Sequence, residues 1–192
     1  MLRLLQLEEL EALLLDVPKL VSLYERRDGG FAPEVMSWLK RSETALGNCR
    51  LPAAAEIAAL RSRLVSAERG AAPNDVTVSG RATRRKLRDA VAVMAVDRAG
   101  TTLQQATTEA RTRVGEAERL LKQVLAVAQQ KGYSLELGDN GRWSRLVGLI
   151  QTLRQDGDLA GATTHAVGLV GGQDAMILLD RSLEGLGVVS PP

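Results

Sequence analysis

From Ser79 to Lys131 the chain contains no proline, and small aliphatic residues recur through the second half of this stretch at the helical period. Leu103, Ala106, Ala110, Val114, Ala117, Leu121, Val124 and Ala128 are spaced 3, 4, 4, 3, 4, 3 and 4 apart. Residues three and four apart share one face of an α-helix, so the spacing predicts a helix over about 79–131. At 1.5 Å per residue such a helix is roughly 80 Å long. An alternative break lies at Ala99-Gly100-Thr101-Thr102, where Gly100 can close a helix and Thr102 with Gln105 has capping-box spacing. A lone glycine inside a helix costs only about 1 kcal/mol relative to alanine, which favours continuity.

Shorter helices are expected on either side. Leu7, Leu10, Leu14, Val17, Val21 and Tyr24 form one stripe whose phase continues across Pro18, which favours one kinked helix over two. Pro33 suits the first turn of a helix with Val35, Trp38, Leu39, Ser42, Leu46 and Cys49 on its inner face. Pro52 opens another, carrying Ile57, Leu60, Leu64 and Ala67 inward, and Gly70 closes it. Towards the C-terminus, Trp143, Leu146, Ile150 and Leu153 mark one helix, 159–170 a second, and Met176, Leu179, Leu183 and Leu186 a third. The fold class expected is all-α, a helical bundle of about six helices organised around one very long central helix. Residues 1–188 read as a single domain: a three-helix segment at 1–70, the long helix, and a helical segment at 142–187. A tail follows at 188–192.

Composition supports this. Tyr24, Phe31, Trp38, Tyr133 and Trp143 are the only aromatics, so Leu, Ala and Val must fill the core, and small residues let helix axes approach closely. Cys49 is the only cysteine and cannot form an internal disulfide. Glu8, Glu9 and Glu11 interrupt the apolar N-terminal stretch, which is unlike a secretory signal. The longest uncharged run, Leu159 to Gln173, has 15 residues, short of the roughly 20 a membrane span needs. No membrane span and a cytoplasmic location are the expectations.

Charge is unevenly placed. Residues 76–140 hold 11 basic and 7 acidic side chains, while the flanking thirds each sum to −1. The sharpest feature is Arg81, Arg84, Arg85, Lys86 and Arg88 in RATRRKLR, with no acid among them. Four arginines here share a helix face at its N-terminus, where the macrodipole disfavours cations by roughly 0.3–1 kcal/mol each. An anionic counterpart is implied: nucleic-acid phosphate, another polyanion, or Glu8, Glu9, Glu11 or Asp16 of the first helix. No aromatic interleaves the run, which disfavours a binder that stacks bases.

The long helix carries a second candidate site. Flanking helices of 12–23 residues span roughly 20–35 Å, less than its length. Leu103, Ala106, Ala110, Val114, Ala117 and Leu121 are therefore a candidate self-association face, coiled-coil-like in character.

Signs of catalysis are weak. His165 is the only histidine, and its neighbours Thr163 and Thr164 point elsewhere on a helix. Acid–base work would need His165, Arg154, Asp156 and Asp158 to converge in one cleft. No catalytic residue, metal site or cofactor is assigned, since GLVGGQD at 168–174 lacks the Lys and Ser/Thr of a phosphate loop. Trp143, Leu146, the GDLAGA turn, Ala160 and Ala166 resemble a tetratricopeptide-type helical hairpin, with Val147 and Ile150 in place of its small and aromatic residues. The resemblance implies peptide or protein binding in a helical groove; no second copy occurs. The function expected is that of a non-enzymatic adaptor or scaffold acting through helix–helix surfaces, with a protein partner or second copy of itself. The alternative is nucleic-acid or polyanion binding through 81–88.

Overall fold

The computed structural model describes residues 2–71, 76, 83–135 and 141–185. Among them are eight α-helices and no strand: α1 (Leu4–Leu15), α2 (Val17–Glu25), α3 (Phe31–Asn48), α4 (Ala53–Glu68), α5 (Arg84–Gln130), α6 (Arg142–Gln155), α7 (Ala160–Val170) and α8 (Gly172–Gly185). The protein is an all-α bundle built on one very long helix, α5, of 47 residues. None of the described helices is long and apolar enough to cross a membrane.

The long helix starts later than the periodicity suggested and runs through Gly100 unbroken. Thr83 caps it, its hydroxyl accepting the Lys86 N–H at 3.2 Å. At the proposed break, Thr101 and Thr102 donate to the carbonyls of Asp97 and Arg98 at 3.1 and 3.0 Å. Both hydroxyls bond back into the preceding turn, so neither caps a new helix.

The chain divides into two compact units where a single domain was expected. One comprises Leu2 and Leu4–Glu109, the other Arg3 and the residues from Ala110 onward. The boundary inside α5 has a compositional cause. From Gln104 to Glu116 the only apolar residues are Ala106, Ala110 and Val114, too little surface to join two cores.

In the N-terminal unit, α3 and α4 form a hairpin against which α1 and α2 pack. From α5, Leu87, Val91, Ala92, Ala95, Val96, Ala99 and Leu103 enter this core. Trp38 is fully buried, and its indole N–H donates to the Leu13 carbonyl at 2.9 Å. That carbonyl lies where α1 stops: Asp16 intervenes and Pro18, without an N–H, sits in the first turn of α2. The expected single kinked helix is thus two helices separated by one residue. The buried stripe is Leu4, Leu7, Leu10, Leu13 and Leu20, while Val21 and Tyr24 from the predicted stripe face outward.

In the C-terminal unit α6, α7 and α8 pack on one another, with α6 and α7 forming a hairpin. Leu121 and Leu125 of α5 and Leu146 and Leu153 of α6 are fully buried. Trp143, expected inside, is 50% exposed. An ionic knot fastens the end of α5 to the turn before α7. Asp156 accepts the Lys131 ammonium at 2.8 and 2.9 Å, the Tyr133 hydroxyl at 2.7 Å, and the backbone N–H groups of Asp158 and Leu159 at 2.9 and 3.2 Å. Lys131 also reaches Asp158 at 2.6 Å.

Hydrogen bonds from Lys131 and then Tyr133 hold the Asp156 carboxyl well below the usual carboxylate range. The same contacts push Lys131 above the usual lysine range and raise the Tyr133 phenol. The depressed acid contributes stability that is present above about pH 4 and lost as pH falls. The raised Lys131 and Tyr133 contribute stability that is present below about pH 10 and lost as pH rises. Denaturation midpoints of the C-terminal unit should therefore be flat through neutrality and fall on both sides. Asp156→Asn should make both limbs shallower; unchanged limbs would mean the knot contributes nothing.

Candidate functional site

Four of the six residues proposed for self-association lie inside the chain. Leu103, Ala117 and Leu121 are fully buried, Ala110 is nearly so, and Ala106 and Val114 are half-buried. An uncovered seam on α5 was the premise of that proposal, and the folded chain covers the seam itself. The surface left open is elsewhere.

An apolar groove of about 400 Å³ lies between α2 and α5 in the N-terminal unit. Val17, Val21 and Tyr24 form one wall, with Phe31 at the start of α3, and Val93, Val96, Asp97, Gly100, Thr101 and Gln104 form the other. Three of the seven exposed large apolar side chains among the described residues, Val21, Tyr24 and Val93, sit in this one place, at 44, 48 and 37% exposure. Tyr24 stacks at a tilt on the buried Phe31, ring centroids 5.3 Å apart, which fixes the aromatic lip. A side chain added at Gly100 would meet nothing within 4 Å, so the glycine leaves the floor open. The apolar spacing places Val21 and Tyr24 in the core and does not mark Val93. The available signal was that α2 carries Val17, Leu20, Val21, Leu23 and Tyr24, more apolar surface than one packed face can bury.

The basic run opens α5. Arg84, Arg85 and Lys86 are exposed, Arg88 is half-buried, and Arg81 lies outside the described residues. The acid beside the run is local to α5. Asp89, one turn along α5, lies 3.7 Å from Arg85 and 3.5 Å from Arg88, while Asp16 pairs with Arg41 at 2.9 Å. Arg84 and Lys86 have no carboxylate partner among the described residues. The Arg85 guanidinium also donates to the Arg27 carbonyl at 2.9 Å. Arg27 closes α2 in the left-handed region, φ 55°, with its N–H on Tyr24 and that of Asp28 on Leu23. A cation at the carbonyl end of a helix is favoured, and the contact sets the end of α2 beside the first turn of α5. Arg26 and Arg27, flanked by the exposed acids Glu25 and Asp28, are brought beside the basic run there, a convergence that sequence spacing could not show.

The residues weighed for catalysis have other engagements. His165 is exposed and lies 3.4 Å from Glu116 of α5, while Asp156 and Asp158 hold Lys131. Among the described residues no group of three or more His, Cys, Asp or Glu side chains is placed to hold a metal ion. The chain matches no family model, no curated protein and no solved structure.

Proposed function

We propose that the protein is a non-enzymatic interaction module that docks a partner through the α2–α5 groove. The observation that carries this reading is the gathering of Val21, Tyr24 and Val93, all exposed, around one open apolar floor. Exposed apolar side chains scattered singly need no explanation, but a cluster lining a groove is characteristic of docking sites. This keeps the adaptor role expected from sequence and moves its surface from the α5 seam to the groove. A cytoplasmic setting fits the lone, unpaired Cys49.

Photo-crosslinking tests the reading. A benzophenone amino acid at Val93 should give a discrete adduct in extracts of the source cells. The same label at Val127, equally exposed on the C-terminal stretch of α5, should not. Indistinguishable labelling from the two positions contradicts it.

Polyanion binding is a second reading, favoured by the lack of carboxylate partners at Arg84 and Lys86. It predicts that Arg84→Ala with Lys86→Ala lowers the salt slope of nucleic-acid binding by about 1 per lost phosphate contact. Arg88, already beside Asp89, should matter less.

A further inference from the structure

The position of the basic residues relative to the groove carries a statement about what the groove takes. On α5, Lys86, Val93 and Gly100 stand seven residues apart and therefore lie along one face. On the other wall, Tyr24 is followed by Glu25, Arg26, Arg27 and Asp28, and the Arg85–Arg27 contact brings that end of α2 to the start of α5. The groove is thus mostly apolar and net cationic at one mouth, where Arg26, Arg27, Arg84, Arg85 and Lys86 outnumber Glu25 and Asp28. Arg26, Arg27 and Lys86 are all exposed there, and none has a carboxylate partner among the described residues. Further along, Asp97 is exposed on the α5 wall. Among the described residues it is the only charged one that lines the groove, and it lies away from the basic mouth.

The length also limits the occupant. Val93 to Gln104 spans 11 residue steps of α5, roughly 16 Å at 1.5 Å per step. Two helices forming a trough of that length present the seat that a third helix fills by ridges and grooves. The open floor at Gly100 lets an approaching helix come close. An extended strand is a poorer occupant, because both walls are helical and have no unpaired backbone groups to offer it.

We infer that the groove binds an amphipathic α-helix of about three turns whose first turn is acidic. Its aliphatic face fills the space over Gly100, and its carboxylates lie against Arg26, Arg27 and Lys86. Acids in the first turn are also what a helix favours on its own account. This rests on the interaction reading above and adds the charge and orientation of the partner.

The test uses the full-length protein and three fluorescent peptides of one length. Each carries leucines three and four residues apart; the first turn holds three Glu in one, three Lys in the second and three Gln in the third. The Glu peptide should bind with a Kd below about 100 µM. The Lys peptide should bind about tenfold more weakly, and raising salt from about 50 to 300 mM should narrow the difference. Arg26→Glu combined with Lys86→Glu should reverse the preference, while Gly100→Leu and Val93→Glu should each weaken the Glu peptide at least about tenfold. These positions are exposed or open, and circular dichroism verifies that each variant is folded.

Equal binding of the three peptides, lost on Val93→Glu, overturns the inference but leaves the groove as the docking surface. Binding that ignores both Val93→Glu and Gly100→Leu removes the groove itself. No binding of the Glu peptide at about 500 µM, or preferential co-sedimentation of the protein with anionic vesicles, also overturns the inference.

Discussion

Replacing Trp38 by alanine is expected to lower the unfolding free energy of the N-terminal unit by about 3–5 kcal/mol, the range for truncating a large buried aromatic. Two losses combine. The side chain is fully buried among α1, α3 and the residues they enclose, so its removal leaves a cavity that the neighbours fill only in part. Its indole N–H also holds the Leu13 carbonyl at the point where α1 ends, a group that otherwise has only the 3.3 Å contact from the Asp16 N–H. Trp38→Phe separates the two, retaining most of the volume and removing the donor. It should cost less than alanine but more than nothing, since an unsatisfied buried carbonyl costs roughly 1–3 kcal/mol. Chemical denaturation followed by circular dichroism measures both. A loss under about 1 kcal/mol for Trp38→Ala would mean that α1 and α2 are not seated on α3 as described.

Leu121→Ala gives the second large effect, and it separates two accounts of the same residue. If Leu121 belongs to the interior of the C-terminal unit, truncation should cost about 2–5 kcal/mol and the loss should be independent of protein concentration. If the residue instead sealed contacts between copies of the chain, the variant would shift molecular mass, and its stability would follow concentration. Full burial within a single chain predicts the first outcome. Denaturation at two concentrations about a hundredfold apart, with light scattering on the same samples, distinguishes them.

The parts of the fold legible in sequence were those governed by local rules. The α3 face from Val35 to Leu46, the α4 face from Ile57 to Ala67 and most of the α5 seam bury as their spacing indicates. Period and burial agree there because each helix has one apolar face and one neighbour to cover it. The errors lie where two rules compete. Around Pro18, the stripe through Leu14, Val17, Val21 and Tyr24 and that through Leu13 and Leu20 are both apolar, and the second turns inward, with the Leu13 carbonyl held by the Trp38 indole. At Thr101 and Thr102 the capping pattern was present, but the hydroxyls found carbonyls one turn back.

The candidate site was less legible. The basic run was visible as a run, but its meeting with Arg26 and Arg27 depends on a contact 58 residues apart in sequence. The groove was invisible for a related reason. Val21, Tyr24 and Val93 are ordinary core residue types, and nothing in a one-dimensional pattern separates an apolar side chain that is covered from one that is not. Helix lengths alone likewise do not show that the chain itself buries most of the α5 seam.

The central claim is that the α5 seam is spent inside the folded chain while the groove face of the same helix stays open. Thiol labelling under native conditions tests this most directly, with Val93→Cys and Ala117→Cys placed separately in a Cys49→Ser background. Val93→Cys should react at close to the rate of an unfolded thiol. Ala117→Cys should be slower by at least about a hundredfold, because it labels only when the helix opens. Equal rates at the two positions, or faster reaction at 117, would contradict the account.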